Sequence, residues 1–373
     1  MLKKFTVKGF KQFKNLTLDF GNVRDYDFNS HCLTKNKQLL KTLLVYGPNA
    51  SGKSNLGFAV FDIVQHLIDK MTQTSAYNYY LNADTPNNPA EFSYEFSFPY
   101  NQNVIYRYKK TDSKTLVFEE LFCGDRLVFR WDAFSGTEDF SHLDEFGFAT
   151  LNQQYRDRKL SFLRYIANNS TLKPNSPVKR LMDFVNSMLW FRRCDLGNSF
   201  IGFHFQPEAI DQYIIKNNLV QEFEKFLNQH DVFERLAIKQ NPDGKQALFF
   251  KHKQLIPFFS EASSGTTALA ILFYWKTFFD KASFIFIDEF DAFYHAKIAE
   301  SVFDLLVKLK KQTVLTTHNT NLLDHRITRP DCCLEIQNGL LKSLADRTSR
   351  VLREGNNLEK LYLAGEFNEK KNE

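Results

Sequence analysis

Eight consecutive residues have the types and spacing of a phosphate-binding loop. They fit the pattern GxxxxGK[ST] without a mismatch and run Gly47-Pro48-Asn49-Ala50-Ser51-Gly52-Lys53-Ser54. The two glycines allow backbone angles that a side chain would hinder, so successive N–H groups can curl around phosphates at a helix N-terminus. Lys53 then reaches the β- and γ-phosphates and Ser54 binds Mg²⁺. The loop predicts ATP and Mg²⁺ as ligands, and its position between a predicted strand and a predicted helix disfavours a chance Gly-rich turn.

Two carboxylates follow an apolar run much later in the chain. Residues 284–287 are Phe-Ile-Phe-Ile, which predicts a buried strand, and Asp288 and Glu289 come directly after it. Ligands of open α/β sheets bind at the carboxyl ends of the strands. There Asp288 can hold Mg²⁺, directly or through water, and Glu289 can accept a proton from the water that attacks the γ-phosphate. Alone, such a pair is more often a capped turn, but the phosphate loop favours the catalytic interpretation.

A histidine and a serine-rich turn complete the candidate residues. His318 follows Thr316 and Thr317 just past the next predicted strand, where an imidazole can donate to the γ-phosphate or to the attacking water. A lone histidine at a strand end is usually structural. The functional interpretation of His318 therefore depends on its position one strand after the Asp-Glu pair. The turn Ser263-Ser264-Gly265-Thr266 opens a helix, and by itself it is only a helix cap.

These residues need a parallel sheet to bring them together. Residues 43–46 form a short apolar run, and residues 53–70 repeat apolar side chains at i, i+3, i+4 and i+7, which predicts a strand and then an amphipathic helix. Residues 283–287, 292–310 and 313–316 have the patterns of strand, helix and strand. Strands and helices that alternate in this way predict a parallel α/β sheet.

The remaining segments predict additions to that sheet. Residues 91–130 alternate apolar and polar side chains, as expected for an antiparallel sheet, and much of the aromatic excess lies there. Residues 151–238 have a mostly helical pattern. We therefore predict an N-terminal lobe over 1–150 with the loop and an antiparallel β subdomain, a helical insertion over 151–250, and a C-terminal lobe over 251–373.

Composition sets broad limits on the kind of protein. The chain has 373 residues, of which 43% are hydrophobic and 24% charged, so a disordered or low-complexity protein is disfavoured. A net charge of +5 permits nucleic-acid contact without arguing for it. The five cysteines form no CxxC pair, which disfavours a disulfide framework or a zinc site and fits a reducing compartment. We expect no membrane span and no signal peptide, hence a cytoplasmic protein.

In this order, the four elements resemble those of ABC-type ATPases, and within them the RecF/SMC/OLD-like branch. Residues 263–266 look like a degenerate ABC signature, with Ser264 in place of the usual first glycine, and Asp291 matches the D-loop aspartate. The C-terminal stretches 317–324, 329–331 and 357–367 are similar to stand-alone OLD-like ATPases of bacterial anti-phage (abortive infection) operons. The resemblance implies a P-loop NTPase fold of ABC type. It covers about 1–70 and 255–367 and is weak between them.

The family implies composite sites in a head-to-tail homo-oligomer. ATP would lie between the phosphate loop of one protomer and Ser263, Ser264, Gly265 and Thr266 of another, and hydrolysis by Glu289 would release the pair. The family's Q-loop glutamine has no firm match, because Gln102 follows a suitable strand but has the features of a solvated turn residue.

The leading hypothesis is a regulatory ATPase of a bacterial anti-phage system that senses a phage factor or DNA and controls an operon-encoded effector, such as a nuclease. The stretch after His318 is too short for the Toprim nuclease of full-length OLD enzymes, so the effector is expected to be another protein. The alternatives are a RecF-like DNA-binding repair ATPase and an ATPase-gated toxin or ribonuclease.

Other polar residues have weaker functional interpretations. Arg329, near a predicted strand end, is a candidate for contact with nucleotide or with the next protomer. Eight basic residues in the insertion could line a DNA or partner surface, although a solvated helix face is the favoured interpretation. They are Arg156, Arg158, Lys159, Arg164, Lys179, Arg180, Arg192 and Arg193.

Overall fold

A computed structural model describes residues 1–68, 77–148, 151–152, 158–194, 197–202, 209–241, 244–323 and 328–368. Its strands are β1 (Leu2–Phe10), β2 (Phe13–Asp19), β3 (Thr42–Tyr46), β4 (Ala90–Phe98), β5 (Gln102–Lys110), β6 (Leu116–Cys123), β7 (Arg126–Asp132), β8 (Thr137–Asp139), β9 (Met188–Cys194), β10 (Gly197–Gly202), β11 (Leu236–Gln240), β12 (Gln246–Lys251), β13 (Leu255–Pro257), β14 (Phe284–Ile287), β15 (Gln312–Thr316), β16 (Cys333–Gln337) and β17 (Leu340–Ser343). Its α-helices are α1 (Lys53–Val60), α2 (Asp62–Ile68), α3 (Phe162–Asn169), α4 (Pro177–Asn186), α5 (Ile210–Lys216), α6 (Val220–Gln229), α7 (Phe258–Glu261), α8 (Ser264–Lys276), α9 (Ala296–Val307) and α10 (Leu358–Leu363).

A seven-stranded sheet with a parallel centre carries the candidate site. Its order is β10-β9-β14-β15-β3-β16-β17. The five strands from β9 to β16 pair in parallel, and antiparallel β10 and β17 close the two edges. The central strands β3, β14 and β15 are buried along their whole length, which explains their continuous apolar runs. The carboxyl ends of these three strands therefore lie side by side.

A second seven-stranded sheet, in the order β2-β1-β4-β5-β6-β7-β8, is antiparallel throughout. The predicted antiparallel subdomain is confirmed, and its alternating aromatic residues fill the core, as Phe92, Tyr94 and Phe96 illustrate with at most 2% exposure. Helix α1 and Phe61, which follows it, lie between the two sheets. The Tyr94 hydroxyl of the antiparallel sheet donates to the Ala59 carbonyl at 3.1 Å, while the Phe61 ring contacts Phe284 of the parallel sheet.

Several elements differ from the sequence prediction. The helix expected over 53–70 is interrupted at Phe61, so that α1 and α2 are separate. The helix expected over 292–310 begins only at Ala296, after a turn. Residues 151–250 are mixed rather than helical: β9 and β10 of this segment join the central sheet, and a three-stranded sheet β11-β12-β13 follows. The division of the chain at 150 and 250 stays a prediction.

No helix in the described part of the chain is both long enough and apolar enough to span a bilayer.

Candidate functional site

The phosphate loop connects β3 to α1, and its backbone shape requires glycine. Gly52 has φ +105° at the N-cap of α1, in the region that side chains disfavour. A Cβ atom there would lie 1.9 Å from Nε2 of Gln12. At Gly47 a Cβ atom would lie 2.5 Å from Oγ of Ser51 and 2.7 Å from the Ile336 side chain. Both glycines of the motif are therefore fixed by the space around them.

Lys53 is held inside this loop. Its Nζ donates to the carbonyl oxygens of Gly47 at 2.9 Å and Pro48 at 3.1 Å, and it lies 3.3 Å from Nδ1 of His318. Burial lowers the pKa of the Lys53 ammonium, and the negative charge of Glu289 is the main opposing influence. The structure thus brings the loop lysine and the predicted histidine together across more than 260 residues of sequence.

Asp288 lies at the carboxyl end of β14 and is almost completely buried, with 1% exposure. Its Oδ1 accepts a hydrogen bond from the Thr316 hydroxyl at 2.7 Å, and the Ser54 side chain is also hydrogen-bonded to this carboxylate. Burial raises the pKa of Asp288, and the bonds from Ser54 and Thr316 oppose that rise. Oδ2 has no hydrogen-bond partner among the described residues. A hydroxyl and a carboxylate in contact, with one carboxylate oxygen that accepts no hydrogen bond, match the oxygen ligands that Mg²⁺ takes beside a phosphate.

Glu289 follows in a strained backbone conformation. Its φ is +50°, in the left-handed region that non-glycine residues seldom adopt. Its N–H donates to the Thr316 hydroxyl at 2.7 Å, so the same hydroxyl that donates to Asp288 also fixes the Glu289 backbone. Thr316 is fully buried at the end of β15. Sequence patterns do not single out Thr316 as a site residue, although its position before Thr317 and His318 at a strand end is a signal that could have found it.

Asp291 is tied to the segment that carries His318. The Thr317 hydroxyl donates to Oδ2 of Asp291 at 2.8 Å and accepts the N–H of Asn319 at 2.9 Å. Burial raises the pKa of the Asp291 carboxyl, and the Thr317 hydrogen bond opposes the rise. The turn after β14 and the segment after β15 are thus joined by two threonines, Thr316 and Thr317, and His318 is exposed at their end.

The predicted signature residues cap α8. Ser263 accepts the N–H of Thr266 at 3.1 Å, and both Ser263 and Ser264 are exposed. A Cβ atom at Gly265 would lie 3.0 Å from the Phe293 carbonyl oxygen, so the start of α8 lies against the turn that follows Glu289. Within the described residues, no hydrogen bond joins 263–266 to the phosphate loop.

The structure corrects the interpretation of Arg329. Its guanidinium is 1% exposed and forms two hydrogen bonds to Asp331, at 3.0 and 2.8 Å. The same group donates to the carbonyls of Tyr26 at 3.2 Å and Arg24 at 2.6 Å. Arg329 is therefore committed to holding the 24–26 segment and is not available to nucleotide or to another protomer.

The structure also places Gln102 and two of the basic residues of the insertion. Gln102 begins β5 in the antiparallel sheet and pairs with Phe98, so it does not follow a strand of the central sheet. Among the basic residues of the insertion, Arg156 lies outside the described residues, as does the side chain of Arg193. Arg192 lies at the site itself, with Nη1 3.6 Å from Oδ2 of Asp288.

An open cavity of about 740 Å³ borders the phosphate loop. Pro48, Asn49, Ala50 and Ser51 form one wall. The β1–β2 turn with Gln12 and the β16–β17 turn form the others. Gln12 also accepts a hydrogen bond from the Asn55 side chain, so this glutamine lies directly against the loop. Sequence patterns did not single it out.

Comparisons with known proteins give one family match and several similar structures. The model of a family described as "AAA domain, putative AbiEii toxin, Type IV TA system" matches residues 43–324. Similar solved structures include the SmcHead bound to the C-winged helix domain of ScpA, at 17% identity and TM-score 0.44, over 91% of this chain and 96% of that one. The SMC head domain from Thermotoga maritima is similar at 17% identity and TM-score 0.42, over 91% and 97%. The recombination mediator protein RecF-ATPrS of the RecFOR pathway is similar at 13% identity and TM-score 0.41, over 92% and 98%. No curated protein matches the chain.

Proposed function

Because this chain belongs to that AAA-domain family and has the P-loop fold of ABC-type ATPases, we propose that it binds and hydrolyses ATP with Mg²⁺ and uses the nucleotide to control a partner. One observation carries the proposal. Lys53, Ser54, Asp288, Glu289 and His318 come from three separate parts of the chain and converge at the carboxyl ends of β3, β14 and β15.

Each of these residues has a role that fits its surroundings. The N–H groups of residues 49–54 at the start of α1 would surround the phosphates. Lys53 would exchange its two carbonyl partners for the β- and γ-phosphate oxygens. Ser54 and Asp288, already in contact, would hold Mg²⁺. Bound Mg²⁺ supplies charge neutralisation at the phosphates.

Glu289 is the proposed general base. Its backbone is fixed by Thr316 and its side chain is partly exposed, so a carboxylate at this place can accept a proton from water. His318, 3.3 Å from Lys53 and exposed, would donate to the γ-phosphate or orient the water. The imidazole and the ammonium then bracket the same phosphate.

The signature residues support a site shared by two protomers. The exposed Ser263 and Ser264 at the start of α8 present a hydroxyl and N–H groups to the outside of the protomer. In a head-to-tail pair, Ser263, Ser264, Gly265 and Thr266 of one copy would close the γ-phosphate site of the other. ATP would then favour the closed pair by its preferential binding to it. Asp291 would lie at this junction.

We further propose that the biological setting is control of an operon-encoded effector, such as a nuclease, in an OLD-like anti-phage system. The resemblance of the C-terminal stretch 357–367 to stand-alone OLD-like ATPases supports it, and the family's description links the fold to toxin–antitoxin systems. The partner would be held or released according to the nucleotide state. The signal sensed would be a phage factor or DNA.

A second candidate function is an ATPase-gated toxin or ribonuclease acting alone. The description of the family as a toxin favours it. Incubation of the purified chain with tRNA or with DNA, with and without ATP, separates the two. Cleavage by the chain alone supports the second candidate, and cleavage that requires the co-expressed operon neighbour supports the first.

The test of the main proposal uses Glu289→Gln. The amide keeps the size of the side chain and cannot act as a base. We expect ATP binding at the wild-type affinity, hydrolysis below about a hundredth of the wild-type rate, and an oligomer that ATP stabilises, visible by light scattering. Co-purification with the operon neighbour, with and without ATP, then tests control of a partner. Hydrolysis at the wild-type rate by the variant would exclude Glu289 as the base.

A further inference from the structure

Arg192 occupies a special place in the central sheet. It lies on β9, the parallel neighbour of β14, where Ile287 pairs with Phe191. The Asp288 N–H continues this register by donating to the Phe191 carbonyl at 3.0 Å. Arg192 is therefore level with Asp288, at the same edge of the sheet as the phosphate loop.

The side chain of Arg192 lies on the face of the sheet that carries α1. Trp190, two residues earlier, is on the same face because strand side chains alternate, and the Arg192 guanidinium lies 5.9 Å from its ring centre. Trp190 packs beneath α1 so closely that a Cβ atom at Gly57 would lie 2.5 Å from its Nε1. Gly57 is one turn after Lys53. Arg192 lies two residues beyond Trp190, towards the carboxyl end of β9. It therefore lies at the N-terminal end of α1, where the proposed site places the phosphates.

Two polar atoms at this point have unused hydrogen-bonding capacity. Nε of Arg192 and Oδ2 of Asp288 are buried, and neither has a hydrogen-bond partner among the described residues. Nη1 of Arg192 is 3.6 Å from that oxygen, which is an ion pair but longer than a good hydrogen bond. The arginine side chain as a whole remains 31% exposed. A planar donor group that is held loosely by one carboxylate, and that borders solvent, can turn to a second anion.

We propose that Arg192 is the γ-phosphate sensor of the site: it pairs with Asp288 in the nucleotide-free protein and donates to the γ-phosphate when ATP binds. This inference rests on the proposed ATP site. Asp288, which Ser54 also contacts, would be released towards Mg²⁺ by the same movement. Arginine suits the role because its fork can donate two parallel hydrogen bonds to phosphate oxygens. ADP lacks the acceptor, so only ATP would draw Arg192 away.

A purely structural Arg192–Asp288 pair predicts different behaviour. It would support the fold and the Mg²⁺ ligand, and its loss would weaken ATP and ADP alike. A sensor acts only on the nucleotide that has a γ-phosphate. The ratio of the two affinities therefore separates the roles, whereas hydrolysis rates alone would not.

The test is isothermal calorimetry of MgADP and of Mg²⁺ with a non-hydrolysable ATP analogue. For Arg192→Ala we expect the ADP affinity to stay within about twofold of wild type and the analogue affinity to fall at least about tenfold, the effect of one or two lost charge-assisted hydrogen bonds. Arg192→Lys keeps the charge without the fork and should lose at least about threefold. The lysine variant replaces the alanine variant in this test if the alanine variant does not fold. Arg126→Ala, an arginine with a 74% exposed side chain that pairs with Glu145, is the matched control.

The outcomes are distinct. An unchanged ratio of the two affinities in both Arg192 variants would overturn the sensor role while leaving the proposed ATP site intact. Failure of the wild-type protein to bind either nucleotide would instead reject the proposed function. A selective loss of analogue affinity that persists in EDTA would assign the effect to the phosphate and not to Mg²⁺.

Discussion

Thr316→Val removes one hydroxyl group from the site and leaves every predicted catalytic residue in place. The Thr316 hydroxyl is fully buried, donates to Oδ1 of Asp288 at 2.7 Å and accepts the N–H of Glu289 at 2.7 Å. Valine has nearly the same shape, so the loss is that of the hydroxyl and not of volume. One lost bond involves a carboxylate and the other a backbone amide.

The magnitude follows from these two bonds. A hydrogen bond to a charged group contributes about 1.5–3 kcal/mol and a neutral one about 0.5–1.5 kcal/mol, so the free energy of unfolding should fall by roughly 2–4 kcal/mol. Because Glu289 has a positive φ that this bond helps to fix, we also expect kcat to fall at least about tenfold. ATP affinity should change less, since Lys53 and the loop are not touched.

Urea unfolding and steady-state hydrolysis measure the two effects, with Thr316→Ser as the control. Serine keeps the hydroxyl and lacks only the methyl group. The Thr316→Ser variant should therefore retain most of the hydrolysis rate, although its free energy of unfolding falls somewhat because the packing of the methyl group is lost. If the valine and serine variants have the same stability and the same kcat, the hydroxyl does not position Asp288 and Glu289, and the account of this site is wrong.

Three further predictions concern assembly, stability and pH. Lys53→Ala and Ser263→Arg should each be inactive. If sites are shared head to tail, an equal mixture should regain about one quarter of the wild-type activity, because half of the dimers are mixed and each of these has one intact site of two. A mixture as inactive as the two separate variants would contradict shared sites. Arg329→Met should leave the buried Asp331 carboxylate without its ion-pair partner and lower the free energy of unfolding in urea by about 3–5 kcal/mol, with nucleotide affinity unchanged. Weakened ATP binding in the folded variant would instead support a nucleotide role for Arg329. Burial holds the pKa of His66 well below 6.5, so below that pH the unfolded chain binds a proton that the folded chain does not. The free energy of unfolding should therefore fall as the pH drops below about 6.5, by up to about 1.4 kcal/mol per pH unit. If the free energy of unfolding of His66→Asn depends on pH as steeply as that of the wild type, His66 is not the cause.

The sequence predicted the parts of the site that short motifs encode. Both motifs follow directly after a predicted strand, and their residue types suit the chemistry of such a position. These are local properties of the chain, and they hold for residues 47–54 and for Asp288-Glu289. Thr316 was missed because threonine is an ordinary strand residue, and its role appears only when β14 and β15 lie side by side. Arg192 was grouped with solvated helix residues, since nothing in the pattern of 188–194 indicates a strand next to Asp288.

The differences between prediction and structure have a common physical origin. Arg329 was considered for a nucleotide contact because it is close in sequence to a strand, whereas its neighbours in space decide what it does. The 24–26 segment that binds Arg329 lies some 300 residues away in sequence. Likewise, residues 151–250 have helical periodicity over α3, α4 and α6, but β9 takes its structure from pairing with β14 and therefore escapes local pattern analysis.

The central claim is that residues 47–54, Asp288 and His318 form one MgATP site, and direct titration tests it. Calorimetry of MgATP into the Glu289→Gln protein, which prevents turnover, should give saturable binding with one nucleotide per protomer. The added substitution Lys53→Ala should abolish that binding. Lys297→Ala removes an 82% exposed lysine that pairs with Asp231, and it should leave the binding unchanged. Equal MgATP affinity in the Lys53→Ala and Lys297→Ala proteins would contradict the account.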